Sequence, residues 1–235
     1  MTSTAPVTSP ISIIIPTLNE AAHIAATVQR AQGNAVREII VVDCGSEDAT
    51  QHLARQHGAH VILAPPGRAR QMNAGAAVAQ GAILLFLHGD TLLPPGFDDL
   101  IPAILGQGGV SAGAFSLAID LPGAAARMVA RLANLRARSL QMPYGDQGLF
   151  VRRQTFWEVG GYPEEPILED VMLVQRLRAE GRIRIVQPAV LTSGRRWRAL
   201  GMIRTTLINQ AIIVGYLVGI PPQRLQCWYR IGKKI

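Results

Sequence analysis

Cysteine is scarce in this chain. Only Cys44 and Cys227 occur among 235 residues, too few for a disulfide framework and without metal-ligand spacing. A reducing cytosol suits that usage, so a cytoplasmic protein is expected. Aromatic residues make up 5% and charged residues 17%, against 49% hydrophobic, a balance that excludes wholesale disorder. No Gly triplet and no sustained heptad occurs, which removes collagen-like and coiled-coil readings. Long hydrophobic runs are missing as well. The longest, Ala211 to Ile220, follows Asn209-Gln210 and is closed by Pro221-Pro222, short of the roughly 20 residues a spanning helix needs. It reads as a buried helix, with a helix lying on a membrane surface as the alternative. Residues 1–10 are polar and Pro-rich, without a basic n-region or apolar h-region, and read as a flexible tail.

Acid is outnumbered by base, 16 Asp+Glu against 23 Lys+Arg, for a net charge of +7. Nucleic acid, an anionic membrane surface or a phosphorylated small molecule would each suit that excess. Its distribution favours the last. Arginine clusters in the second half, no Lys-rich tail exists apart from Lys233 and Lys234, and no aromatic-studded basic strand appears. No nucleic-acid partner is expected.

The first half alternates strand and helix signals. Ile11–Ile15, Glu38–Val42, Val61–Ala64 and Ile83–Leu87 read as buried strands. Helices are expected over 20–32, with Asn19 as N-cap, over 46–57 and over 68–79. Four such units in about 80 residues argue for a parallel sheet covered on both faces. Ligands of these sheets bind beyond the carboxyl ends of the strands. Three of those ends are polar here: Pro16-Thr17-Leu18-Asn19-Glu20, Asp43-Cys44-Gly45-Ser46 and His88-Gly89-Asp90. Later, strands are expected over 111–119, 149–152 and 182–187, and helices over 123–139, 168–180 and 200–218. No linker-like stretch separates the halves. The expected organisation is the tail followed by one domain over 11–235, with two halves that divide at about residue 110.

Two familiar phosphate cradles are absent, since neither G-x-x-x-x-G-K-[ST] nor a G-x-G-x-x-G after the first strand occurs. NAD-dependent dehydrogenase and P-loop ATPase readings therefore fall away. Instead, residues 13–20 (IIIPTLNE), 41–50 (VVDCGSEDAT) and 87–91 (LHGDT) together resemble the GT-A fold of family 2 glycosyltransferases. That fold is α/β and Rossmann-like, a mostly parallel sheet flanked by helices, here with an acceptor-side lobe and a C-terminal helix. Residues 67–76 (GRARQMNAGA) are similar to the branch of radical-SAM/selenodomain-associated transferases, which includes selenosugar synthases; 144–148, 168–170 and 193–197 extend the likeness over about 11–230.

The resemblance implies an inverting transferase that uses UDP-glucose or UDP-N-acetylglucosamine. Pro16, Thr17 and Glu20 would line the uridine site, and Asp43 would hydrogen-bond uracil or ribose. Arg68, Gln71 and Asn73 would face the diphosphate and donor sugar. Asp90 stands at the last position of the family's Asp-x-Asp motif and would hold Mg²⁺ or Mn²⁺ against the diphosphate, although His88 and Gly89 replace the usual partners. Glu169 and Asp170 match the family's acidic pair, with Asp170 as general base. For a small anionic acceptor such as selenophosphate, Arg152, Arg153, Arg195 and Arg196 would supply guanidinium forks. Asp146 and Gln147 would bind the sugar or order the acceptor loop. Blander roles stand beside these: a first-turn carboxylate for Glu20, Glu169 and Asp170, a cap for Asp43, a turn former for Asp146, a packed strand end for His88, and solvated charge for several arginines. Rival functions are transfer to a small hydroxyl acceptor, peripheral action on a lipid phosphate, and non-catalytic binding of a sugar nucleotide.

Overall fold

A computed structural model describes residues 9–231. Residues 1–8 of the expected tail, and Lys233 and Lys234, lie outside the described residues. The chain opens as β1 (Ile11–Thr17), α1 (Ile24–Arg30), β2 (Val36–Asp43), α2 (Thr50–Gln56), β3 (His60–Leu63), α3 (Arg68–Val78) and β4 (Ile83–Phe86). It continues through β5 (Thr91–Leu92), α4 (Phe97–Leu105), β6 (Val110–Asp120), α5 (Ala124–Leu140), β7 (Leu149–Arg152) and α6 (Arg153–Glu158). The remainder is α7 (Glu169–Glu180), β8 (Arg182–Ser193), α8 (Arg195–Leu200), α9 (Met202–Leu217) and α10 (Pro222–Ile231).

One eight-stranded sheet runs in the order β3-β2-β1-β4-β7-β6-β8-β5. The first four strands are parallel, β7 is antiparallel to both β4 and β6, and β8 runs parallel to β6. The continuous β-branched runs have a simple cause. Successive side chains of a strand point to opposite faces, and both faces here are covered. Ile13 and Ile15 of β1 join α1 and α4 through Ile24, Val28, Phe97 and Ile101. Ile14 turns the other way, into the layer formed by Met72 and Ala76 of α3 and Leu173 and Leu177 of α7.

Two expectations are corrected. Asn19 does not cap α1, which starts at Ile24 after a turn. Asn19 adopts a left-handed φ of 55°, which asparagine tolerates, and clasps the neighbouring loop: its amide N–H donates to Ser46 Oγ (2.8 Å) and its Oδ1 accepts from Glu47 N–H (3.0 Å). β8 runs on past Gln187 to Ser193. Val186 pairs with Phe115 and Ala189 with Ser116, so Gln187 and Pro188 occupy a bulge, the place where a sheet accepts proline. α4 has a weak sequence signal, because Pro102 interrupts a pattern, Phe97, Ile101 and Leu105, that is buried at helical spacing.

Candidate active site

β1 has β2 on one side and β4 on the other, so the strand order reverses between β1 and β4. This switch point is where open α/β sheets bind ligands. A cavity of about 600 Å³ opens there, bounded by the loops after β1 and β4, the start of α3, the 144–146 loop, the start of α7, and α8 with α9.

The wall nearest β1 and β2 is tied together by hydrogen bonds. Thr17 closes β1 and donates from Oγ1 to Asp43 Oδ2 (3.0 Å). Asp43, fully buried at the end of β2, also accepts from the Ser46 hydroxyl, from the backbone N–H of Gly45 (3.0 Å) and Ser46 (2.8 Å), and from Gln51 Nε2 (2.8 Å). Burial works to raise its pKa, but the hydrogen bonds, led by Ser46, outweigh it and hold the carboxyl below its ordinary value. Asp43 therefore clasps the loop and does not itself line the cavity. Gln71 fastens α3 to the strand ends, donating from Nε2 to the carbonyls of Thr17 (2.9 Å) and Val42 (2.8 Å) while still touching the cavity.

Charge is concentrated at the loop after β4. Arg195, at the start of α8, bridges two carboxylates: Nη1 donates to Glu20 Oε2 (2.7 Å), and Nη2 pairs with Glu20 Oε1 and with Asp90 Oδ2 (3.1 Å). Gly89 is a close approach, because a Cβ there would lie 3.2 Å from Glu20 Cγ and 3.3 Å from Thr17 Cγ2. Next to it, His88 Nε2 is enclosed without a hydrogen-bond partner. Burial, followed by the positive charges of Arg68 and Arg195, lowers its pKa to about 3, so the ring is neutral.

The opposite wall is acidic and tightly wound. Leu168 holds a left-handed φ of 67°, a strained conformation for a bulky residue, and it swings the next two carboxylates inward. Glu169 is buried and pairs with Arg68 Nη1 at 3.2 Å. Burial raises its pKa; Arg68 opposes the shift and Asp170 adds to it. Asp170 Oδ2 accepts the Gly145 N–H (2.7 Å) and Oδ1 accepts that of Val171 (2.8 Å). Gly145 is itself a close approach, since a Cβ would stand 3.0 Å from His88 Nε2 and 3.3 Å from Asp170 Oδ2. Beside it, Asp146 is pushed up to about 6 by burial, with Arg136 opposing and Asp170 reinforcing. Arg136 stacks on the Tyr144 ring, 3.3 Å from its centroid.

The cavity gathers Pro16, Thr17, Glu20, Arg68, Gln71, Asp90, Asp146, Glu169, Asp170, Arg195 and Arg196 of the expected site residues. Five do not join them: Asp43, which clasps the loop behind the cavity, and Asn73, Gln147, Arg152 and Arg153. Arg152 and Arg153 sit at the far end of the sheet, because β7 is antiparallel to β4 and Arg152 pairs with Ile83, the first residue of that strand. Their guanidinium groups donate to the carbonyls of Val110 (3.0 Å) and Ala79 (2.8 Å). Gln147 is a buried brace, giving Nε2 to the Phe115 carbonyl (2.9 Å) and accepting the Tyr144 N–H (3.2 Å). Asn73 exchanges two hydrogen bonds with the Tyr162 backbone, at 2.8 and 3.0 Å, and so fixes the 160–162 turn. Unforeseen in the sequence is an apolar stretch of wall made by Ile167, Trp197, Ile212 and Ile213. No motif signals it, because its members come from three separate elements.

A divalent cation fits this donor set only in part. Among the described residues no group of three or more His, Cys, Asp or Glu is arranged to hold a metal. Mg²⁺ nevertheless needs only one or two carboxylates when phosphates complete its shell. Asp90 suits an ion that arrives with a diphosphate, once Arg195 gives way.

A family model described as glycosyl transferase family 2 matches residues 12–154. The chain belongs to that family. Among curated proteins it is similar to the glycosyltransferase AglE of Haloferax volcanii, 36% identical over 101 residues that cover 38% of this chain and 32% of that protein. The chain thus spans about a third of the length of that relative. Among solved structures it resembles glucosyl-3-phosphoglycerate synthase from Mycobacterium tuberculosis in complex with Mn²⁺, UDP and glucosyl-3-phosphoglycerate. The TM-score is 0.57 at 21% identity, over 78% of this chain and 70% of that one. It also resembles S. aureus TarS in complex with UDP-GlcNAc, with a TM-score of 0.61 at 16% identity, over 78% of this chain and 58% of that one. At these identities the likeness establishes the fold, a GT-A arrangement of the family's kind.

Proposed function

We propose that this family 2 member is an inverting glycosyltransferase that takes its sugar from UDP-glucose or UDP-N-acetylglucosamine. One observation carries the reading: at the switch point, the Glu20–Arg195–Asp90 bridge faces Arg68, Glu169 and Asp170 across a single cavity. Pro16, Thr17 and Glu20 form the nucleotide side, with Asp43 holding that loop in shape. Arg68 and Arg195 neutralise the diphosphate, and both are placed to stabilise charge that grows on the leaving group. The solved relatives support the donor class, having been captured with UDP and Mn²⁺ or with UDP-GlcNAc. A divalent ion at Asp90 would supply further Lewis-acid stabilisation of the departing diphosphate.

For the acceptor we read selenophosphate, as the sequence resemblance implies. Its selenium is already an anionic nucleophile. It attacks the anomeric carbon from the face opposite UDP, the new C–Se bond forms, and the C–O bond breaks with its electron pair leaving on UDP. No base is needed for that step; a cationic wall is, and Arg68 and Arg196 border the cavity. A second reading, transfer to a hydroxyl, is favoured by the carboxylates of Asp170 and Asp146. One of them would take the hydroxyl proton as the C–O bond to the acceptor forms.

The test is anaerobic UDP release with product mass spectrometry, run over a panel of UDP-sugars with and without selenophosphate. A seleno-sugar mass that needs both substrates is expected. UDP release that requires a polyol and ignores selenophosphate selects the hydroxyl reading. Binding of UDP-sugar without turnover under either acceptor overturns both.

A further inference from the structure

α5 and α9 pack against each other, and α10 packs on α9. Each of the first two is apolar on its inner and its outer side. α5 buries Ala126 and Ala137, with Val129, Ala130 and Ala133 partly buried beside them, yet turns Met128, Leu132 and Leu135 outward, the last two 55% and 62% exposed. α9 sets Ile208, Ile212 and Tyr216 inward, while Leu207, Val214 and Val218 point out at i, i+7 and i+11, with Leu207 63% and Val218 71% exposed. Elsewhere exposed apolar residues such as Leu18 and Leu63 are scattered singly, which is ordinary. Paired stripes on neighbouring helices are not.

The charge on these helices has one sign. α5 carries Arg127, Arg131, Arg136 and Arg138 with no acidic residue, and the first, second and fourth of these are exposed. From Gly181 to the C-terminus the sequence holds eight arginines and two lysines and not one Asp or Glu. Among the described residues, no helix is long and apolar enough to cross a membrane. Helices with an apolar stripe and flanking arginine lie in the plane of an anionic lipid surface. A second copy of this chain is the poorer occupant. An isologous contact would set this basic face against an identical basic face, with no carboxylate on either helix to answer the arginines.

We infer that the outer face of α5 and α9 docks on an anionic bilayer surface, with Met128, Leu132, Leu207, Val214 and Leu217 entering the headgroup boundary and Arg127 and Arg131 pairing with lipid phosphates. α9 also supplies Ile212 and Ile213 to the cavity, so docking brings one wall of the site to the membrane. The inference stands whichever acceptor the site uses.

Co-sedimentation with vesicles tests it. The full chain is mixed with phosphatidylcholine alone or with about 30% phosphatidylglycerol, at about 50 and about 500 mM salt. Binding to the anionic vesicles at low salt is expected, at least tenfold stronger than to neutral ones and lost at high salt. The double variants Leu132→Asp/Leu217→Asp and Arg127→Glu/Arg131→Glu change exposed side chains only, and each lowers binding by about tenfold or more. Absence of binding to anionic vesicles overturns the inference. So does binding that neither double variant changes, or a stable dimer in sedimentation velocity that the same substitutions dissolve.

Discussion

The two walls of the cavity are built by opposite means. On the β1–β2 side, polar groups are satisfied: Asp43 alone receives bonds from Thr17, Gly45, Ser46 and Gln51, and Gln71 ties two strand ends together. On the side of Tyr144, Leu168 and α8, carboxylates are desolvated, Leu168 is strained, and the Trp197 indole nitrogen is enclosed without a hydrogen-bond partner. A wall whose hydrogen bonds are complete is rigid and fits one ligand class. A wall holding raised pKa values and strain is poised to exchange protons and partners. On the proposed function, the difference assigns nucleotide recognition to the first wall and reaction with the acceptor to the second.

Substitutions that break this division rank as follows. Asp90→Ala removes the carboxylate at the junction of the walls, and turnover measured by UDP release should fall about a thousandfold. Its melting temperature should move little, because Arg195 keeps Glu20. Asp170→Asn should lower transfer to hydroxyl acceptors by about 10²–10⁴ and transfer to selenophosphate by less than about tenfold, a split that assigns the acceptor. Asp43→Ala should cost about 3 kcal/mol in denaturant unfolding, since it strands several buried donors. With its folded pKa below the ordinary carboxylate value, Asp43 contributes stability above that value, lost as pH falls through the folded pKa. Asp43→Asn should flatten that acid limb.

Asp146 has the opposite sign. Its folded pKa, about 6, lies above the unfolded one, so its contribution is full at low pH and is lost as pH rises from the ordinary carboxylate value through about 6. Asp146→Asn should therefore stabilise the protein above pH 6, by about 2 kcal/mol, and remove that slope. Smallest of all, Arg152→Ala should change turnover less than about twofold and cost about 1 kcal/mol, the value of its bond to the Val110 carbonyl.

The parallel half was legible because its signals are local. Ile13-Ile14-Ile15 must be buried on both faces, and three polar strand ends on one edge mark the ligand crevice without knowledge of the tertiary structure. The first and third of these ends bring Thr17, Glu20 and Asp90 to the cavity, while Asp43 of the second braces the loop behind it. Legibility failed where direction or distance decides. Arg152 and Arg153 resemble anion ligands in the sequence, but the antiparallel insertion of β7 carries them to the opposite edge. Arg195 pairs with Glu20 across 175 residues, a contact that no spacing rule anticipates. The apolar 211–220 run suggests a buried helix, and burial holds for one face of α9 only: Ile212 is buried while Val214, Leu217 and Val218 are exposed.

Calorimetric titration of UDP into the protein, with and without Mg²⁺, addresses the donor site most directly. The account predicts saturable binding that strengthens with Mg²⁺ and weakens at least about tenfold in Asp90→Ala. No UDP binding, or equal binding by Asp90→Ala and the parent chain with Mg²⁺ present, would contradict it.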